Sequence, residues 1–129
     1  MLDRSTSTSL GVMIRENGVP EEQIIEKHVK TFLDIVVLAM LNGRSTYGYK
    51  IIDIVHREFG ILLSPASLYP LLHLLENNKL IESDFDKGKT VYYLTPKGKE
   101  TFVKKFTAYS LSIQIMTKFI RTYGIIPQR

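Results

Sequence analysis

Ser64, Ala66, Ser67, Tyr69, Pro70 and His73 lie within one run of ten residues, and further on Lys87 and Lys89 flank a glycine. Hydroxyl, phenol and imidazole groups beside paired ammonium groups can donate to phosphate oxygens and approach base edges. Arg44, Lys50 and Lys97 supply further cations before and after this run. None of the six residues is Arg or Asn, the side chains that make the best bidentate base contacts, so direct base readout is expected to be modest. Tyr69 can bond a phosphate or pack on a thymine methyl, and His73 can reach a phosphate or a base. Lys87 and Lys89 can neutralise phosphates without precise geometry. Each has a plainer alternative: Tyr69 as an aromatic on a helix rim, His73 as a packed side chain, the lysines as a solvated face.

Catalytic chemistry finds little footing. His28, His56 and His73 belong to three separate predicted helices, and the chain has no glycine-rich phosphate loop, nucleophile elbow or paired acids. No catalytic residue, metal ligand or cofactor is therefore assigned. The absence of cysteine excludes disulfides and thiolate sites and fits a reducing, cytoplasmic setting. The longest apolar run, Ile35 to Leu41, is far short of the ~20 residues a bilayer requires, so neither a membrane span nor a signal peptide is expected. At 129 residues, 44% of them hydrophobic, the sequence suits one globular domain. The formal charge is only +4, but residues 87–105 carry six lysines against the single acid Glu100. Positive charge is thus concentrated in one segment.

The elements that position these groups follow from caps and periodicity. Residues 1–19, with a Ser/Thr repeat and two glycines, read as a flexible arm. Pro20 with Glu21 and Glu22 predicts one long helix running to about Met40, with Ile24, Ile25, His28, Val29, Phe32, Leu33, Val36 and Met40 on its apolar side, stopped by Asn42-Gly43. Ser45 or Thr46 is expected to cap the next helix, which runs to about Phe59 with Tyr49, Ile51, Ile52, Val55 and Phe59 inward and Gly60 ending it. Ile61 to Leu63 is read as a stub of strand. Ser64 followed by Pro65 starts a helix sharply, and Leu68, Leu71, Leu72 and Leu75 form its core side. Residues 80–85 and 90–94 then read as a hairpin whose tip carries the two lysines.

Thr95-Pro96 repeats the cap-then-proline signal. In the helix that follows, Phe102, Phe106, Tyr109, Ile113, Met116, Ile120 and Tyr123 step by alternating fours and threes, the seam of a helix packed lengthwise on another. A small winged core cannot cover such a rod, so homodimerisation through this seam is expected. Residues 20–94 thus form a winged helix-turn-helix domain, 95–123 a dimerisation helix and 124–129 a tail. The fold class is mainly α (α+β), with long N- and C-terminal helices.

GRSTYGYKI at Gly43 to Ile51, LLSPASLYPLLHLLENNKLIES at Leu62 to Ser83 and YYLTPKGKE at Tyr92 to Glu100 together resemble the PadR family of winged-helix transcriptional regulators. The likeness spans about Phe32 to Phe106, and its most specific part is Ser64, Ser67, Leu68, Tyr69 and Pro70. The resemblance implies a dimeric, mostly repressing binder of double-stranded DNA, and it gives a reason for Pro70 inside a helix. The sequence departs from the family pattern at Lys50, where an acid is usual, and in a wing with two lysines in place of an arginine cluster. Helical sequence also continues ahead of Phe32. On this reading residues 64–78 enter the major groove and the wing, 84–91, lies on the backbone. A small apolar effector would find its place between the long helices of a dimer. The competing reading is a winged-helix protein-interaction module without specific DNA binding.

Overall fold

A serine or threonine followed by proline begins two of the helices. The computed structural model describes residues 21–125. In chain order the elements are α1 (Glu21–Thr31), α2 (Leu33–Leu41), β1 (Thr46–Tyr47), α3 (Gly48–Phe59), α4 (Pro65–Asn77), β2 (Ile81–Asp86), β3 (Lys89–Leu94) and α5 (Pro96–Tyr123). Ser64 Oγ accepts from the amide of Ser67 at 3.2 Å to open α4, and Thr95 Oγ1 accepts from that of Gly98 at 2.9 Å to open α5. The strands form one antiparallel sheet of order β1-β3-β2. Helices α3 and α4 are the helix-turn-helix unit, and β2 with β3 is the wing. Lys87 and Gly88 join these strands with φ of 49° and 80°, the two left-handed residues of a hairpin turn whose twist matches its strands.

The core lies where α2, α3 and α4 meet the sheet. Val37 and Leu38 from α2, Ile51 and Val55 from α3, Leu68 and Leu72 from α4, and Ile81 from β2 are essentially inaccessible to solvent. Leu63, in the connection before α4, joins them. Burying a residue of this kind stabilises the fold by about 1.5–3 kcal/mol.

Four expectations are corrected. The single long first helix is instead two, bent at Phe32 (φ −102°, ψ 21°), although the backbone bonds Phe32 N to His28 O and Val36 N to Phe32 O survive. The bend lets amphipathic α1 lie at the surface while α2, apolar nearly all round, enters the core. The extra strand is Thr46–Tyr47, paired with Tyr92 and Val91, and not Ile61 to Leu63. Because residues 46 and 47 are spent on that pairing, α3 begins at Gly48 with no side-chain cap. Its buried side is Ile51 and Val55, which leaves Tyr49 77% exposed and Phe59 outside the core. The expected arm, 1–19, lies outside the described residues.

Helix α4 ends in a Schellman arrangement. Leu80 N bonds to Leu75 O and Lys79 N to Glu76 O, each at 3.0 Å, with Lys79 at φ 64° where glycine is usual. Pro70 is exposed and the helix runs through it without interruption.

Candidate nucleic-acid interface

Ser64, Ala66, Ser67, Pro70 and His73 are all exposed, so the first turns of α4 present a short polar and small-residue surface. The Ser64 and Ser67 hydroxyls bond to each other at 3.0 Å, which fixes both at the helix start. Tyr69 differs from these. It is half-buried against the core, and its ring lies so close over the start of α3 that a Cβ added to Gly48 would meet the phenol oxygen at 2.4 Å. The glycine of the Tyr-Gly-Tyr run is therefore a seat for Tyr69. Behind it, burial raises the pKa of Tyr92, with the nearby Tyr69 and Glu76 adding to the effect.

Strand register sorts the wing into two faces. Ile81, Ser83, Phe85, Thr90, Tyr92 and Leu94 share one, because Ser83 opposes Tyr92 and Phe85 opposes Thr90. This is the face toward α4, since Ser83 Oγ donates to Glu76 Oε2 at 2.6 Å. Glu82, Asp84, Asp86, Lys89, Val91 and Tyr93 occupy the other. There Tyr93 donates to Glu82 at 3.0 Å, and that bond is the main reason its pKa is raised. Lys89 also belongs to this outer face, its ammonium 4.3 Å from the centre of the Tyr47 ring. Lys87 stands in the turn itself, exposed.

The other candidate cations are dispersed. Arg44 is exposed in the loop before β1. Lys50 lies 3.9 Å from Asp53, which also pairs with Arg57 at 3.2 Å. Lys97 donates to the carbonyl of Asn78 at 3.0 Å, placing a cation at the C-terminal end of α4, where the helix dipole favours one. Among the described residues no group of three or more His, Asp or Glu is placed to hold a metal, and no helix is long and apolar enough to cross a membrane.

The family model of PadR-like transcriptional regulators matches residues 37–104, more than half of the sequence. The chain belongs to the PadR-like family. It is thus a DNA-binding transcriptional regulator, of a family that is regulatory and not enzymatic. Solved structures share the PadR winged-helix fold. A PadR family regulator from Eggerthella lenta superposes with a TM-score of 0.70 at 23% identity, covering 85% of this chain and 98% of that one. A transcriptional regulator from Clostridium thermocellum gives 0.67 at 23% identity, covering 73% and 98%. A PadR-like regulator from Bacillus cereus gives 0.66 at 21%, covering 74% and 97%. No curated protein matches the sequence.

In this PadR fold, α5 stays on its own domain for about its first half. Phe102 packs on the core, and Tyr109 meets the Phe32 ring at 4.8 Å and Asp34 at 3.5 Å. Lys105 pairs with the same carboxylate, which holds its ammonium above the usual lysine value against the opposing effect of partial burial. From Leu111 onward the apolar residues stand in solvent. Ile113, Met116, Ile120 and Tyr123 are 51–74% exposed, and Phe106, on the same seam, 58%. A shallow groove lined by Ala108, Leu111, Ser112, Ile115, Met116 and Phe119 runs along this helix. It is open to solvent and supplies no enclosed effector site within one chain.

Three exposed residues were not singled out as candidates from the sequence: Tyr49, expected to face inward, and Phe85 and Thr90 of the wing, which were given no role. Tyr49 looked apolar and inward because the two residues of β1 were not anticipated. Phe85 could have been found by counting alternate residues from Ile81, which puts it on the core side but past the core's edge.

Proposed function

We propose that the chain is a sequence-specific repressor that binds double-stranded DNA as a homodimer, with residues 64–78 in the major groove and the wing, 84–91, on the backbone. The observation that carries this reading is the pairing, in one PadR-family chain, of an exposed first turn of α4 with a lysine-tipped wing held beside it through Ser83 and Glu76. Ser64, Ala66, Ser67, Pro70 and His73 face the groove, and Tyr69 steadies the helix against Gly48 while keeping its edge toward a phosphate. Lys87, Arg44 and Lys50 serve the backbone, while Lys89, drawn over Tyr47 on the acidic outer face of the wing, contributes less. Lys97 contributes more by fixing the end of α4 than by direct contact, given its bond to Asn78.

Dimerisation is supported by α5, a 28-residue helix roughly 40 Å long whose outer half exposes an apolar seam. Phe102 and Tyr109 anchor the rod to its own domain, and Phe106, Ile113, Met116, Ile120 and Tyr123 meet the partner. A dimer of this form seated on a promoter obstructs polymerase, hence repression.

Selection of bound sequences from random duplex DNA, with the solution mass measured alongside, tests the reading. A single preferred motif with two half-sites and a dimeric mass are expected. Affinity should fall roughly 10³–10⁵-fold from 50 to 200 mM salt if 6–10 phosphates are contacted. A chain that is monomeric at micromolar concentration, or indifferent to duplex DNA in dilute buffer, overturns it.

A further inference from the structure

We propose that Phe85 is an apolar specificity residue of the wing, entering the minor groove beside the major-groove site. The inference rests on the DNA-binding reading above and adds a contact which that reading leaves out.

Three observations converge. First, Phe85 shares its face with Ile81 and Ser83, the face bonded to α4 through Ser83 and Glu76. It lies two residues, roughly 7 Å, beyond that bond. There α4 no longer shelters the strand, and the ring is 77% exposed opposite the exposed Thr90. Second, charge decides which side of the wing can approach phosphates. The three acids Glu82, Asp84 and Asp86 all lie on the outer face, where Lys89 is drawn over Tyr47. The strand residues of the face shared by Ser83, Phe85 and Thr90 carry no charge, and the one carboxylate beside it, Glu76, accepts from Ser83 at the end away from the tip. A duplex lined with phosphates is repelled by the first face and not by the second. Third, Lys87 sits in the turn two residues past Phe85, at the tip, where a phosphate bordering the groove lies within its reach.

An apolar ring carried between a phosphate-binding tip and a groove-reading helix suits the minor groove, whose narrow walls are sugar and base edge. Such wedges unstack or widen a step and favour sequences that deform readily. The 2-amino group of guanine projects into that groove and obstructs the ring, so A·T pairs are preferred beneath the wing.

The test compares the full-length protein with Phe85→Ala, Phe85→Leu and Lys87→Ala on its selected duplex and on random duplex DNA. Phe85→Ala is expected to lose roughly 10–100-fold on the selected duplex and much less on random DNA. Its salt dependence should be unchanged, because no charge is removed, whereas Lys87→Ala, which removes one lysine from each half of the dimer, should lower the slope by about two. Phe85→Leu should retain most of the affinity. Placing G·C pairs beneath the wing should weaken wild-type binding, and replacing those guanines by inosine, which lacks only the 2-amino group, should restore it. Phe85→Ala should respond to neither change. The melting temperature of Phe85→Ala should match wild type, since the ring covers little of the fold.

Wild-type protein that binds its duplex tightly while Phe85→Ala binds equally well overturns this inference alone. So does an inosine effect that persists in Phe85→Ala, or a lowered melting temperature for that variant. Wild-type protein that binds no duplex overturns the DNA-binding reading and this inference with it.

Discussion

Replacing Gly98 by alanine should damage this protein far more than a substitution in the first turn of a helix usually does. A Cβ at Gly98 would lie 1.9 Å from the carbonyl oxygen of Leu80, a backbone atom with no rotamer to escape through. Ordinary contact requires that oxygen to retreat by about 1.5 Å. The same oxygen accepts from Thr95 N at 3.1 Å and shares the single Thr95 hydroxyl proton with the closer Lys79 carbonyl, so the retreat weakens hydrogen bonding as well as the packing. Overpacking costs about 1–3 kcal/mol and the weakened bonds about 1 kcal/mol, while the better helix propensity of alanine returns up to ~1 kcal/mol. The net loss is roughly 2 kcal/mol, a fall of about 10 °C in melting temperature for a chain of this size. The assay is thermal unfolding at fixed protein concentration, because any dimer makes the midpoint concentration-dependent. Lys99→Ala, at an exposed neighbouring position, is the control and should move by less than ~0.5 kcal/mol. A Gly98→Ala protein melting within ~2 °C of wild type would refute the claim that this joint is closed to a methyl group.

The opposite sign is expected at Lys79→Gly. The left-handed backbone there costs a lysine ~1–2 kcal/mol, and glycine, despite its greater unfolded-state freedom, should raise the melting temperature by a few degrees; no gain, or a loss, contradicts it. Ile113→Asp combined with Ile120→Asp should give the 14.8 kDa mass of a single chain by light scattering with helicity largely kept, against twice that mass for wild type. Retention of the doubled mass would place the interface elsewhere. Lys105→Met keeps the stem but removes the charge paired with Asp34. An ammonium whose pKa is raised by folding stabilises fully below its unfolded value of 10.5 and loses that contribution as pH climbs through the folded value. Wild type should therefore be the more stable at pH 8, by less than ~1 kcal/mol after solvent screening, with the gap closing above pH 10.5. Equal stability at pH 8 would show the pair to be inert.

What the sequence made readable was chemistry that acts within a few residues. Ser64 before Pro65 and Thr95 before Pro96 reach amides three positions on, and a glycine at the hairpin tip needs only its immediate neighbours. The misplaced features are settled by distant partners. Thr46 and Tyr47 are a strand only because Tyr92 and Val91 lie alongside, and once they are, α3 starts late and Tyr49 turns outward. The bend at Phe32 faces Tyr109, far away in the chain. For the candidate interface, the exposed positions of α4 followed from its leucine stripe except at Tyr69, which is half-buried over Gly48. The split of the wing lysines did not, because Lys89 is claimed by Tyr47 across the sheet.

Thr95 to Gly98 shows both kinds of information in one segment. Read locally, it is a helix cap, a proline and a permissive glycine. In three dimensions Thr95 Oγ1 also donates to the carbonyl of Lys79 at 2.6 Å, Lys97 covers that of Asn78 at 3.0 Å, and Gly98 leaves room for that of Leu80. The carbonyls of the three residues that follow α4 are thus met by the cap and first turn of α5. The end of α4, the root of the wing and the start of the long outer rod consequently share one joint. A left-handed lysine is tolerated at position 79 because its carbonyl is held there. A cap that closes its own helix while holding the chain that leaves another explains why a glycine follows in its first turn, where helix propensity alone would disfavour it; the proline needs no such reason at the first helical position.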